Sequence, residues 1–542
     1  MARLLTRRFL WKCVHFTTMV RCVTGPETTA QRQLQRTLYL INPREQTAGY
    51  YGLDVIESWA GVRGVTNLVD LTTPTVAALV PEGWQVEICD ERIQPVDFDH
   101  RAAVVGLTGK VSQRSRMIEL AGEFRRRGKL VVAGGPYVSL NPSDLAAHAD
   151  IVVEGEIEEI AGGLFDDIAA GTWRASYTGT RPDLTLSPPP RWDLYPLRGG
   201  LAAQVQTSRG CPFECEFCDV IQYLGRKQRW KEPVQVVEEL EMLYAAGFRD
   251  ILLADDNLTV MRRRARALLE AIREWNDRRP GERVRFSSQL SVDIARDRPM
   301  LDLAAAAGLR MVFVGVETPN EASLAETMKR QNLHVDLVEE VTKIVNAGIM
   351  VVSGMMVGFD NDDEGIFERQ LDFAARLPVP LITPSLLVAP HATPLYARLE
   401  KEGRLVEGAL DYIGAGNMFR TNIVPRQMSR ETLEDGARRL LLHLYRPAVV
   451  LDRLRRFVEN SPTRPEPRPR PFFAGPVENA LARGLMRLGD RDEPALLGYL
   501  HETTARRPEM RAQLQYFFLQ YCQTRHNIEQ LKRQAPVSPA MA

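Results

Sequence analysis

From Thr37 onward, short apolar runs alternate with longer amphipathic stretches. RTLYLINP reads as a buried strand ending in a turn, and a helical stretch near Val65 to Val80 leads to the strand WQVEICDE. Ala102 to Gly109 (AAVVGLTG) predicts a third strand closing in a small-residue loop. A polar amphipathic helix follows from Ser112 to Arg127. Lys129 to Ser139 (KLVVAGGPYVS) and Asp150 to Glu159 (DIVVEGEIEE) predict two further strands. Strands that alternate with helices build a parallel sheet covered on both faces. Ligands of such a sheet bind at the carboxyl ends of its strands, where Thr108-Gly109, Gly134-Gly135 and Gly155-Glu156 fall.

Thr185 to Pro196 contains SPPPRW and reads as a linker, and a second series begins at Leu201. AAQVQTS is a strand with a cysteine-rich loop directly after it. Helix and strand then alternate through DILLADDN, VRFSSQL, RMVFVGVET, IMVVSGMMVGFD and PLITPSLLVA. The expected helices are Glu232 to Ala246, Arg262 to Asp277, Pro299 to Ala307, Val335 to Ala347 and Asp362 to Leu377. A complete eight-unit barrel takes about 250 residues; this segment is shorter, which predicts a partial (β/α)6 barrel of the TIM type. After Pro390 the pattern turns helical, interrupted by the proline-rich stretch Pro462 to Phe473.

The expected organisation is α/β. A basic extension (1–36) precedes a doubly wound, flavodoxin- or Rossmann-like sheet domain (37–184). A linker (185–200), the partial barrel (201–389), a helical domain (390–461), a proline-rich linker (462–476) and a helical tail (477–542) follow. The first 36 residues carry Arg3, Arg7, Arg8, Lys12, Arg21, Arg32 and Arg36 against one acid, Glu27, without a clean apolar core or a small-residue cleavage site. They are expected to be a poorly ordered extension or the product of a start codon placed too early.

Composition narrows the function. A chain of 542 residues exceeds one core and suggests two to four domains. Its net charge is zero, so no global field recruits nucleic acid. No apolar run approaches the ~18 residues that span a bilayer. Seven cysteines, an odd number, argue against a disulfide framework and fit a cytoplasmic protein. Cys13, Cys22, Cys89 and Cys522 are scattered and read as ordinary thiols.

Cys211, Cys215 and Cys218 stand apart: they form C-x3-C-x2-C inside TSRGCPFECEFCDV. Structural zinc wants four ligands, usually as two pairs, and no second pair appears. A thioredoxin-like Cys215/Cys218 pair leaves Cys211 without a role. An iron–sulfur cubane fits better. Three thiolates hold three irons, and the fourth iron stays open as a binding site.

With Phe217 before the last cysteine and a strand before the loop, this motif resembles the radical S-adenosylmethionine (SAM) superfamily. The resemblance implies a [4Fe–4S] cluster held by Cys211, Cys215 and Cys218, and SAM bound at the open iron. One electron then breaks the S–C5′ bond to give a 5′-deoxyadenosyl radical, which the barrel shields from water and oxygen. It further places Phe217 near the adenine, Asp255 near the methionine end, Gln289 in the same mouth and Glu317 at the ribose hydroxyls. Asp255, Asp256 and Asn257 equally suit a helix N-cap, and Gly354 and Gly358 suit tight turns.

An α/β domain ahead of such a barrel resembles the cobalamin-binding class of these enzymes, on the strength of VVGLTG, VVAGGPYVS and DIVVEGE. The implied contacts are Thr108, Gly109, Gln113, Gly134, Gly135, Tyr137, Ser139, Gly155 and Glu156, small residues letting the corrin approach the backbone. The D-x-H-x-x-G motif of many cobalamin domains is missing, and His100 and His148 lie elsewhere, so cobalt is expected to have no protein histidine ligand.

Together with LADDN and the helical region after Pro390, the run Arg226, Lys227, Arg229, Lys231 resembles a subgroup from about Thr37 to Asn460. That subgroup holds hopanoid C-2 methylases, bacteriochlorophyllide methylases and C-methyltransferases of antibiotic pathways. It implies methyl transfer from one SAM through cobalamin to a substrate carbon radical made with another, with a flavodoxin- or ferredoxin-like electron donor. The basic run itself is either a solvated face or a hold for anionic groups. Two alternatives stay open: a radical reaction without methyl transfer, such as cyclisation, ring contraction or oxidation, and a non-catalytic cofactor-binding protein. A lipid, a tetrapyrrole and an amino-acid-derived natural product all remain open as the small-molecule substrate.

Overall fold

The computed structural model describes residues 36–45, 52–279, 282–406, 419–463, 471–473 and 475–534. Cys13, Cys22, Tyr412 and nearly all of the basic extension lie outside them.

The first sheet contains β1 (Thr37–Asn42), β3 (Gln85–Asp90), β4 (Val104–Thr108), β5 (Leu130–Gly134), β6 (Ile151–Glu154) and β7 (Ser176–Thr178), in the order β3-β1-β4-β5-β6-β7. Every pairing is parallel. Side chains alternate between two cores. Leu38 and Leu40 of β1 join one apolar cluster, while Tyr39 and Ile41 join the other. Both faces of the strand are therefore dry, as an unbroken apolar run in a parallel sheet requires. Helix Arg114–Arg126 buries Met117, Leu120 and Phe124 on one face; helix Ala161–Ala170 buries Leu164, Phe165 and Ile168 on the other. Each such side chain contributes roughly 2 kcal/mol on leaving water. The chain moves from β1 to one neighbour, β3, and then to the other, β4, so the sheet has a topological switch point between β1 and β4.

The second sheet is a curled half-barrel. It orders β15 (Leu381–Leu386), β14 (Met350–Val357), β13 (Leu309–Glu317), β12 (Arg285–Gln289), β11 (Asp250–Leu253), β8 (Gly200–Val205) and β2 (Thr66–Leu68), again all parallel. The six expected strands, β8 and β11 to β15, are present, joined by five helices at Pro233–Ala245, Arg262–Asp277, Arg298–Ala307, Leu337–Asn346 and Ile366–Arg376. Local chemistry sets these boundaries. The Asp297 side chain caps its helix by accepting from Met300 N at 3.0 Å, Pro299 fills the first turn, and Gly308 closes the end at φ +112°.

Three sequence expectations change. Val65 to Val80 is not one helix: Thr66–Leu68 is a strand that adds to the barrel edge beside β8, and the helix is only Thr72–Ala78. So the segment expected to serve the first domain alone also extends the second sheet. PYVS leaves the strand, because Gly135 at φ +97° turns the chain into helix Pro136–Leu140. The stretch read as a linker is packed: Trp192 and Tyr195 are buried, and the Tyr195 hydroxyl receives Asp70 N at 2.9 Å and donates to Asp90.

Beyond the barrel lie helices Pro394–Lys401, Arg430–Leu444 and Pro447–Asn460, then Gly475–Met486, Glu493–Arg506 and Arg511–Gln534. The last three return to both earlier units. Gln523 accepts Val55 N at 3.0 Å, and the Trp59 ring lies directly on Gly484. Gln513 Nε2 donates to Arg310 O at 2.8 Å, at the amino end of β13. No helix of the described residues is long and apolar enough to cross a membrane.

Candidate active site

A cavity of about 820 Å³ lies where the carboxyl ends of the two sheets meet. From the first sheet its wall takes Asn42, Thr108, Gly109, Lys110, Ser112 and Gln113, the residues flanking the β1/β4 switch point. From the half-barrel it takes Asp255, Asp256, Gln289 and Ser385, at or just past strand ends. Gln113 is fixed by its amide, donating to Asn42 Oδ1 at 2.8 Å and accepting Lys110 N at 2.8 Å.

The cysteine loop leaves β8 through a short hairpin, β9 (Ser208–Arg209) against β10 (Arg229–Trp230). Gly210 enters the loop at φ +92°, and a Cβ there would meet Gly225 O at 2.8 Å and Lys227 O at 3.0 Å, so only glycine fits. Asp256 accepts Gly210 N at 2.8 Å. Asp255, 1% exposed, accepts the backbone N–H and hydroxyl of both Thr207 and Ser208 at 2.5 to 2.9 Å. Burial raises the pKa of both acids, Asp256 to about 6. Neither Asp255, Asp256 nor Asn257 caps a helix, since the next one starts at Arg262; Asp255 straps the approach to the cysteines instead.

Farther along, Glu216 N donates to Thr327 O at 2.9 Å, and Glu216 O accepts Leu395 N at 3.2 Å. Arg398 forks onto the Glu216 carboxylate at 2.7 and 3.0 Å and reaches Asp360 at 2.7 Å. Sequence reading missed Arg398. An arginine past the last barrel strand carries no local signal that it will hold a loop 182 positions earlier.

All five described cysteines are free thiols. Cys215 is buried, Cys211 and Cys218 half-buried, and burial raises the pKa of Cys211 and pushes Cys218 up to about 12. Such thiols become thiolates when a cation lies beside them. Among the described residues no three His, Cys, Asp or Glu side chains converge tightly enough for a single ion; a cubane asks for one sulfur at each of three irons. Among the described residues, the buried amide oxygens Gln331 Oε1 and Asn257 Oδ1 have no hydrogen-bond partner. Gln331 Nε2 sits 3.6 Å from Cys215 Sγ, and Asn257 interacts with Cys211. Free thiols ringed by orphaned amide atoms fit a cluster and a polar ligand.

Asp255 and Gln289 line the cavity, whereas Phe217 and Glu317 do not. Those two meet through Lys329, whose Nζ lies 2.7 Å from Glu317 Oε1 and 5.8 Å from the Phe217 ring centre. Glu317 has φ +67°, strained for a residue with a side chain. Burial alone would lower the pKa of Lys329, but Glu317 beside it raises it.

In the first domain, Thr108, Gly109 and Gln113 line the cavity, with Pro136. Gly134, Gly135, Tyr137, Ser139, Gly155 and Glu156 do not. A Cβ at Gly135 would strike Thr108 Oγ1 at 2.5 Å, so close packing between strand-end loops already accounts for that glycine. The Tyr137 hydroxyl is engaged by Asp144 and Arg114, and Ser139 Oγ joins Gly135 O to Gly155 N. Glu156 pairs with Arg229 at 2.5 Å and Arg209 at 2.6 Å, tying the first domain to the hairpin ahead of the cysteines. The basic run is thus neither a solvated face nor an anion hold at Arg229 and Lys231, which are spent on Glu156 and Glu239. His100 stacks on Tyr39 at 4.1 Å, on the amino side of β4 and away from the strands' carboxyl ends.

Comparison with known proteins agrees with this geometry. The family model "Radical SAM superfamily" matches residues 205–374, and "Domain of unknown function (DUF4070)" matches 393–522. An uncharacterised methyltransferase of Synechocystis sp. is 36% identical over 391 residues, 70% of this chain and 71% of that protein. Hopanoid C-2 methylase of Rhodopseudomonas palustris is 33% identical over 339 residues, covering 61% and 64%. Among solved structures, the cobalamin-dependent radical enzyme OxsB shares the fold at TM-score 0.59 and 15% identity, over 93% of this chain and 80% of that one. The methyltransferase TsrM of Kitasatospora setae does so at 0.52 and 20%, over 68% and 76%. The chain belongs to the radical SAM superfamily.

Proposed function

We propose that the protein is a cobalamin-dependent radical SAM C-methyltransferase acting on an unactivated or sp2 carbon of a small molecule. One observation carries the reading: a single cavity joins the switch point of the first sheet to the mouth of the half-barrel, and Asp255 and Asp256 of its wall hold Thr207, Ser208 and Gly210, which lead into the three-thiol loop. When bound, the cluster and SAM supply a hydrogen-abstracting radical, and cobalamin supplies the methyl group. Cys211, Cys215 and Cys218 would hold the cluster. Asp255 fixes the approach to that loop, Gln289 offers its amide to the cavity, and the Glu317–Lys329 pair stands ready to bind ribose hydroxyls beside Phe217. Thr108, Gly109 and Gln113 would hold cobalamin where the first sheet switches direction. No acid–base pair is needed for hydrogen abstraction. The chain's task is placement, where an error near 1 Å costs ~100-fold.

The test is anaerobic incubation of reconstituted protein with cobalamin, a low-potential reductant and SAM bearing a trideuterated methyl group. Mass spectrometry should find the labelled methyl on cobalamin, and 5′-deoxyadenosine should be released. Deoxyadenosine without any labelled methyl would favour a non-methylating radical enzyme.

A further inference from the structure

The cavity does not end at the mouth of the half-barrel. Its wall also includes Asp250, Arg285, Arg310 and Met350, at the amino ends of β11 to β14. Arg285 and Gln289, the two ends of β12, both line it, so the cavity runs the height of that strand, roughly 13 Å. A closed eight-stranded barrel fills this space with its own side chains. Here the small Ala202 leaves room in the wall, and Gly354 lets the Phe313 ring lie back against its strand, where a Cβ would meet the ring at 2.7 Å.

The floor comes from distant chain. Phe472, Ala512, Gln513 and Tyr516 close the lower end. Gln513 anchors the last helix to Arg310 O at 2.8 Å, and Phe472 and Tyr516 stack edge to face at 5.7 Å.

Polar groups at this end already have partners. Arg285 grips Asp250 through two bonds of 2.8 and 2.5 Å. Arg310 donates to Ala305 O and Leu309 O, and the Tyr516 phenol interacts with Asn67. Gln204, level with Leu252, donates to Val69 O at 2.6 Å, and apart from the small Ser287 the remaining lower wall is hydrocarbon: Leu252, Met311, Met350, Val352 and the Phe472–Tyr516 pair. Such a surface binds by the apolar area it removes from water and offers no spare charge to a polar ligand.

We propose that the lower lumen holds the apolar body of an elongated hydrocarbon substrate, acyl or isoprenoid, whose reacting end lies at the strands' carboxyl ends. The floor at Phe472 and Ala512 to Tyr516 sets the length admitted. Calling this ligand the substrate rests on the methyltransferase reading; the pocket and its preference do not.

The test is equilibrium binding of 1-alkanols with 8, 12 and 16 carbons, and of a sterol, to the full-length protein, by displacement of Nile red. Each buried methylene is worth about 0.8 kcal/mol, so affinity should rise at least ~10-fold from the 8- to the 12-carbon alcohol. Ala512→Trp fills the floor and should weaken the 16-carbon alcohol at least ~10-fold while leaving the 8-carbon alcohol within ~2-fold. Tyr516→Ala opens it and should strengthen the 16-carbon alcohol. A folding defect cannot produce opposite signs in the two variants. Preference for the alkanols identifies an acyl body, and preference for the sterol a rigid isoprenoid one. Affinity that ignores chain length, failure of both classes to bind, or a length preference unmoved by either variant overturns the proposal. Binding that behaves as described while no labelled methyl reaches cobalamin would sink the methyltransferase reading and leave the pocket standing.

Discussion

At the scale of single residues, the site depends on buried groups whose partners are few. Glu317 and Lys329 pair at 2.7 Å with side chains 8% and 12% exposed. Removing one charge strands the other, typically at about 3 kcal/mol. Lys329→Met should therefore lower the urea midpoint of the protein, and Lys329→Met with Glu317→Gln should recover most of that loss. An unchanged midpoint in the single variant would mean that the pair is solvated. Gln331 makes a second prediction. Its N–H lies 3.6 Å from Cys215 Sγ, and donors to cluster sulfurs raise reduction potential. Gln331→Leu should shift the potential of the reconstituted cluster to more negative values in a redox titration; a shift in the positive direction would refute this role. The three cysteines were legible in the sequence because their spacing is local. Lys329 was not, because its partner lies twelve positions earlier across a strand end.

Among elements, the cysteine loop is held from outside itself. Arg398, on the helix after the barrel, joins Glu216 to Asp360. Arg398→Ala should leave far-ultraviolet circular dichroism unchanged yet speed loss of cluster absorbance in air several-fold. Equal rates for variant and wild type would show that the loop needs no such clamp. In the last helices, Arg453 is 1% exposed, and burial pushes its pKa down to about 10. Its Nη2 donates to Leu444 O at 2.8 Å, while Nε and Nη1 have no hydrogen-bond partner among the described residues. Replacing a poorly compensated buried charge by a hydrophobe of similar length is often stabilising by ~1 kcal/mol or more. Arg453→Met should thus raise the thermal midpoint by a few degrees, and a clear drop would mean that the guanidinium has a binding role. Periodicity revealed the barrel units well because each buried strand is an unbroken apolar run. It failed at Thr66–Leu68: three residues are too few to show a period, and their partner β8 lies far along the chain.

For the molecule as a whole, the proposed function requires the two sheets to face each other across one cavity. Glu156 bridges them from above through Arg209 and Arg229. Below, the tail clasps the segment from Val55 to Trp59 and floors the half-barrel through Gln513. The sequence shows two α/β series and a helical end, but not that the end closes the lumen, because long-range packing has no local period. The central claim is that Cys211, Cys215 and Cys218 hold a cluster with one iron open to SAM. The most direct measurement is electron paramagnetic resonance of the reduced, anaerobically reconstituted protein with and without SAM. The reduced protein should give a [4Fe–4S]+ signal that changes shape when SAM is added and is lost when the three cysteines become alanine. A signal indifferent to SAM, or one that survives the triple substitution, would contradict it.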